Sequence, residues 1–310
     1  MMTFKTPLLF LVFNRPDTTA VVFQRIRVAR PLFLFIAADG PRKEVTGERE
    51  KCEAVRAIVQ EIDWPCDVRY LFREENLGCS SAVISAINWF FTHVQQGIIL
   101  EDDCKPEQSF FTFCERMLDF YANTDQVKIV SGTNYFFGQY ANVDDYYFTH
   151  YYTIWGWATW KRVWDQISFS LDDYPVLRNS KQLNSHYLYH PRMIQIITDL
   201  LDQSYQGTLN AWVPYLVYHF IQTQGLGIMP LKNLVSNIGK EGTHTEEGEN
   251  FFLEMKTTAI HAETLIMKAP RLGKKYDLIQ YNNIANQIYG KPSPQLLFKM
   301  FLKQHILRLF

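Results

Sequence analysis

The run Gly97-Ile-Ile-Leu-Glu-Asp-Asp-Cys104 sets three consecutive acids, Glu101, Asp102 and Asp103, directly behind an apolar stretch, with no basic residue before Lys105. Two carboxylates a few ångströms apart repel by roughly 1 to 4 kcal/mol, depending on the local dielectric. Such a cluster is relieved by a proton, a salt bridge or a bound cation. Carboxylate oxygens suit hard divalent ions such as Mg²⁺ or Mn²⁺, commonly shared with substrate phosphates. Asp103 or Asp102 is therefore a candidate metal ligand, bridging to a phosphate-bearing molecule. Arg15 can neutralise a diphosphate, and Asp39 can accept hydrogen bonds from a base or ribose.

These side chains act together only if the fold gathers them. From the N-terminus to about Ile129, apolar runs alternate with amphipathic segments, the pattern of β-α-β units around a mainly parallel sheet. Leu8–Phe13 reads as strand one, and Asp17 as the cap of a helix through Val22 and Ile26. Leu32–Ala38 is strand two, followed by a charged loop and a helix through Val55 and Val59. Val68–Phe72 is strand three, Ser80 and Ser81 begin a helix running to Val94, and Ile98–Leu100 is strand four. Pro106 then opens a helix, and Val127–Gly132 is strand five. Ligands of open α/β sheets bind outside the carboxyl ends of the strands. Strands one, two and four end in Asn14-Arg15, Asp39-Gly40 and Glu101-Asp102-Asp103, so these polar groups are expected in one crevice.

Beyond Gly132 the chain is dense in aromatics. Trp157, Trp160 and Trp164 suit one helix face, either a core helix or a wall for an acceptor. Residues 165–205 read as an irregular insertion with short helices, followed by a helix through Trp212 and Phe220 and a strand at Leu226–Pro230. The Gly-rich, polar stretch 233–245 has the composition of a loop. Residues 251–268, 276–289 and 295–310 read as helices.

Composition narrows the function classes. Hydrophobic residues at 47% and charged residues at 20% specify a packed globular chain, and a net charge of −1 gives no reason to expect a nucleic-acid partner. The 5 cysteines form no C-x-x-C pair, which favours reduced thiols and a cytoplasmic location. No G-x-G-x-x-G follows strand one and no G-x-x-x-x-G-K-[ST] occurs, so dinucleotide oxidoreductases and P-loop NTPases lose their main support. A nucleotidyltransferase would need a Gly-rich basic loop where Phe13-Asn-Arg-Pro-Asp17 stands.

Asn14-Arg15-Pro16, Ala38-Asp39-Gly40, Arg73…Asn76-Leu-Gly78 and Glu101-Asp102-Asp103, in this order and spacing, resemble a GT-A glycosyltransferase of the group related to N-acetylglucosaminyltransferase I and its bacterial family-2-like relatives. Trp155-Gly-Trp-Ala-Thr-Trp160 and Asn233-Leu-Val…Asn237-Ile-Gly239…Thr243-His244 are similar to that bacterial group, and the likeness covers about residues 7–245. It implies an α/β GT-A (Rossmann-like) fold: a mixed, mainly parallel sheet flanked by helices, with a helical C-terminal extension. The catalytic domain would span 1–250, with a donor-binding half at 1–132, an acceptor-side half at 133–250, and the extension at 251–310. The resemblance further implies that Arg15, Asp39 and Arg73 contact the nucleotide of a UDP- or GDP-linked sugar. It puts Asp102 near ribose or donor sugar, has Asp103 coordinate Mn²⁺ or Mg²⁺ with the diphosphate, and lets Lys240 or His244 reach the phosphates.

The implied activity is inverting transfer of a hexosyl or N-acetylhexosaminyl group to a glycan or lipid-linked acceptor, as in polysaccharide biosynthesis. Inversion requires a base to deprotonate the acceptor hydroxyl. Related proteins carry an acid near the start of the helix containing Trp212, whereas this chain has Asn210, Ala211 and Val213, and an Asn cannot take a proton. Either another acid, such as Asp202 or Glu241, serves, or the chain is a non-catalytic nucleotide-sugar-binding or assembly subunit. The basic, acid-free tail 291–310 is expected either to pack as a terminal helix or to touch the membrane peripherally.

Overall fold

The computed structural model describes residues 4–239 and 252–291. Five-residue runs with no polar alternation, such as Leu-Leu-Phe-Leu-Val, are buried on both faces when they form strands, which is the condition of a parallel sheet covered by helices. In chain order the elements are β1 (Leu8–Val12), α1 (Pro16–Ala29), β2 (Phe33–Ala38), α2 (Glu48–Gln60), β3 (Asp67–Phe72), α3 (Cys79–Phe91), β4 (Gln96–Glu101) and β5 (Cys104–Pro106). Then come α4 (Gln108–Phe120), β6 (Val127–Ser131), β7 (Tyr146–Thr149), β8 (Trp157–Trp160), α5 (Lys161–Trp164), α6 (Tyr174–Arg178), α7 (Lys181–His186) and α8 (Pro191–Tyr205). The described chain closes with α9 (Val213–Thr223), β9 (Leu226–Pro230), β10 (Val235–Asn237) and α10 (Lys274–Tyr289).

Eight strands form one sheet in the order β3-β2-β1-β4-β8-β6-β9-β7. β3, β2, β1 and β4 run parallel, β8 is antiparallel to both β4 and β6, and β9 is parallel to β6. Most strands therefore point one way, and the architecture is the Rossmann-like, GT-A type. The chain winds outward from β1 through β2 to β3 and then returns to β4 on the opposite side of β1. That reversal is the topological switch point, where such sheets open a crevice. Register aligns the ends: Leu11 lies opposite both Ala37 and Glu101.

Four local readings change. Trp157–Trp160 is a strand in mid-sheet, not a helix, with Ala158 facing Ile98 on one side and Val130 on the other. Gly156 precedes it at φ +64°, a left-handed backbone that a right-handed helix does not accommodate, and a Cβ there would lie 2.7 Å from Val235 Cγ2. All three tryptophans are buried, so they fill the core. Residues 252–268 form no α-helix: a turn at 252–254 leads into irregular chain with a single 3₁₀ turn at Ala262–Thr264. Their backbone groups are taken by distant side chains: Ile260 N–H by Ser109, His261 N–H by Asp144, and Leu265 C=O by Arg116. Pro106 ends β5, and α4 starts two residues later under a Glu107 cap. Asp17 lies inside the first turn of α1, where Arg15 holds the N-cap position without a capping bond.

The helix expected at 276–289 is present as α10, packed on α8 and β7. Its fully buried Asp277 accepts from Thr149 Oγ1 at 2.5 Å, His150 N–H at 3.1 Å and Tyr281 OH at 3.2 Å. The helix expected at 295–310 lies outside the described residues.

Candidate functional site

Asp102 and Asp103 leave the end of β4, and Arg15 leaves the end of β1, across the switch point. The fork geometry of a guanidinium suits two carboxylates at once. Arg15 Nη2 pairs with Asp102 Oδ1, and Nη1 lies 2.8 Å from Asp103 Oδ2. The other Asp102 oxygen accepts from Phe13 N–H at 3.2 Å. Arg15 thus answers the repulsion seen in the sequence. Burial opposes its charge, but the two carboxylates outweigh that and hold its pKa above the ordinary value.

The compensation is incomplete. Burial raises Asp102 to about 6 despite Arg15. Glu101 is also raised, by burial first and then by Asp103 and Asp102. Its Oε1 has no hydrogen-bond partner among the described residues. Asp103 differs: with Oδ2 on Arg15, its Oδ1 meets the Cys104 thiol at 3.4 Å, a weak donor. That oxygen keeps lone pairs suited to a hard cation. Among the described residues no three His, Cys, Asp or Glu side chains converge as a metal cage.

Asp39 ends β2 and is pinned by the turn after β3. Its carboxylate accepts from Asn76 Nδ2 at 3.0 Å and from Leu77 N–H at 3.1 Å. Burial raises its pKa, while Leu77 N–H and the Arg73 charge work against that. Arg73 donates to Ser85 Oγ at 2.8 Å. Gly40 follows Asp39 because the turn lies on it: a Cβ would sit 2.5 Å from the Glu75 carbonyl carbon and 2.7 Å from that of Glu74. Gly40→Ala is expected to cost about 1–3 kcal/mol by overpacking against backbone, read by chemical denaturation. An unchanged midpoint would show that the turn moves freely.

Asn210 stands at the loop before α9, exposed, its Nδ2 3.8 Å from where a Gly78 Cβ would be. The structure therefore brings Asn210 beside the Asn76–Gly78 turn that holds Asp39. Asp202 is occupied otherwise: Arg178 reaches its two oxygens at 2.8 and 2.9 Å, and Tyr174 OH donates at 2.8 Å. Arg178 holds its carboxyl below the usual range. After β10 the chain passes over the ion pair. A Cβ on Gly239 would lie 2.6 Å from Asp103 Oδ2 and 3.0 Å from Arg15 Nη1. Lys240, Glu241 and His244 lie outside the described residues.

One organising residue was not singled out from sequence. Glu48, 2% exposed, accepts from Asn14 Nδ2 at 2.8 Å and from Arg42 N–H at 2.6 Å. It ties the turn carrying Arg15 to the loop after β2. Hydrogen bonds from Arg42 hold its carboxyl below the ordinary value.

No family model matches the chain, and no curated protein matches it in sequence. Among solved structures, mouse xyloside xylosyltransferase 1 is similar at 11% identity over 72% of this chain and 84% of that one, with a TM-score of 0.37. Mannose-1-phosphate geranyltransferase from Thermus thermophilus is similar at 9% identity over 73% and 74%, with a TM-score of 0.35. HddC from Yersinia pseudotuberculosis is similar at 10% identity over 55% and 85%, with a TM-score of 0.33.

Proposed function

We propose that this chain is a glycosyltransferase that moves a sugar from a nucleoside-diphosphate donor to a glycan or lipid-linked acceptor. One observation carries the reading: Arg15, Asp102 and Asp103 meet across the switch point between β1 and β4, with Asp39 at the neighbouring strand end. That is where a doubly wound sheet presents charge to a ligand. A diphosphate in the crevice places its oxygens near the Arg15 guanidinium. Asp103, through Oδ1, is the carboxylate that would hold a divalent ion, Mn²⁺ or Mg²⁺. When bound, the ion offsets charge growing on the departing diphosphate.

The turn Asn76–Gly78 would then bound the nucleotide end through Asp39, and Asn210 the acceptor side. Asn210 has no proton-accepting carboxylate, and this supports a second reading, a non-catalytic nucleotide-sugar-binding subunit. Two measurements separate the readings. UDP or GDP is expected to raise the melting temperature in a Mn²⁺-dependent way under either reading. Only the transferase hydrolyses or transfers from a panel of nucleotide sugars. The absence of any Mn²⁺-dependent shift across both nucleotides would sink the two together.

A further inference from the structure

A second charged surface lies at one edge of the sheet, on the edge strand β7. Residues 265–276 contain Lys268, Arg271, Lys274 and Lys275 and no Asp or Glu. Lys268 is held by Asp145 Oδ1 at 2.5 Å and Tyr146 C=O at 2.7 Å. Arg271, Lys274 and Lys275 are exposed, and none has a side-chain hydrogen bond or ion pair among the described residues. Lys274 and Lys275 also open α10, so they add to the positive end of the helix macrodipole rather than balancing it. That arrangement favours an external anion.

Apolar side chains stand beside these cations. Leu265 and Met267 pack inward, and the extended backbone turns Ile266 outward, 81% exposed. Arg116 of α4 binds the Leu265 C=O at 3.3 Å, and Tyr121 OH donates to the Lys268 C=O at 2.7 Å. The segment therefore runs along the α4 face that ends in Phe120, itself 57% exposed. Between β7 and the start of α10, Tyr147, Lys268, Arg271, Gly273 and Tyr276 line an open cavity of about 400 Å³. Arg271 at the rim of a tyrosine-lined cavity, with Lys274 and Lys275 beside it and aliphatic and aromatic side chains projecting at the margin, matches the layers of a bilayer surface: phosphates outside, acyl chains beneath.

We propose that residues 265–276, together with Phe120, dock the protein on an anionic lipid surface. Arg271, Lys274 and Lys275 engage lipid phosphates, the Tyr147–Tyr276 cavity takes a headgroup, and Ile266 and Phe120 enter the acyl boundary. No helix among the described residues is long and apolar enough to cross a membrane, so this is association with a surface. The crevice between β1 and β4 lies four strands away from β7 and stays open.

The test is co-sedimentation of the full chain with vesicles of pure phosphatidylcholine and of phosphatidylcholine containing one third phosphatidylglycerol. The wild type is expected to bind the anionic vesicles and to be released by high salt. Each cation near the surface contributes about fivefold to partitioning, so R271E/K274E/K275E is expected to weaken binding by about 100-fold or more. The acids it installs in the first turn of α10 favour that helix, and an unchanged thermal melt checks the fold. I266S/F120S, with all charges intact, is expected to lose binding by about 100-fold or more. Anionic-vesicle binding by the charge-reversal variant at the wild-type level would overturn the proposal and assign lipid contact elsewhere. Retention of the wild type on heparin with no vesicle binding would overturn it in favour of a soluble polyanion, and binding to neither would overturn it outright.

Discussion

Asp103→Ala is expected to abolish the Mn²⁺-dependent part of donor stabilisation while the metal-free protein stays folded. At a nucleotide concentration about 100 times its Kd, a bound donor stabilises a protein by about 2.7 kcal/mol. For a chain of this size that is a rise of about 4 °C in melting temperature. In the variant the Mn²⁺-dependent rise should vanish, leaving whatever nucleotide shift Arg15 supports without metal. The fold should survive because Arg15 keeps Asp102 as a partner, and because removing Asp103 relieves one of the charges that raise Glu101. An Mn²⁺-dependent shift as large in Asp103→Ala as in the wild type would remove Asp103 from the metal role.

The neighbouring carboxylates are not equivalent, and the difference follows from what each touches. Asp102 is 2% exposed and divided between Phe13 N–H and Arg15, so it braces the turn that aims Arg15. Asp103 spends one oxygen on Arg15 and turns the other to a thiol. Residue types alone left the pair undivided, and only the resemblance gave the two different roles, because consecutive residues at a strand end give no sign of which faces the backbone of the next strand.

The central strands were legible because their signal is local: Leu8–Val12 and Phe33–Ala38 are too apolar for any surface. The meeting of Arg15 with Asp102 and Asp103, and the place of Asp39 at the neighbouring strand end, followed from strand ends and the switch-point rule. The tryptophan strand was not legible, because W-A-T-W-K-R-V-W fits a helical period by accident and the positive φ of Gly156 leaves no mark in its identity. Residues 252–268 misled for another reason. Their irregular course depends on Ser109, Arg116 and Asp144, each more than a hundred residues away in sequence, and propensity yields to such contacts. Glu48 looked like Glu44, Glu50 and Glu53 in a charged loop; only the fold brings Asn14 and Arg42 onto it.

Arg15→Met should have the largest effect on the protein without ligand. The substitution keeps most of the side-chain volume and removes the charge that faces Asp102 and Asp103. Loss of one member of a buried pair costs about 3–5 kcal/mol. Arg15's side chain is 29% accessible, so solvent screens part of that cost and about 3 kcal/mol is expected near neutral pH. The pH dependence separates electrostatics from packing. In the wild type, burial has already lifted Asp102 from 3.8 to about 6, so folding binds protons and stability declines as pH rises through that window. Without Arg15 the carboxyl pKa moves higher still. Below about 6 both proteins carry Asp102 protonated and the variant's deficit is smallest. Above it the wild type ionises against Arg15 and the variant does not, so the deficit widens until the variant's own carboxyl ionises. Urea denaturation of both proteins in chelator, at about pH 5 and about pH 8, measures the gap at each. Equal deficits at the two pH values would mean that Arg15 contributes by packing, and that the acidic cluster is neutralised by something other than its guanidinium.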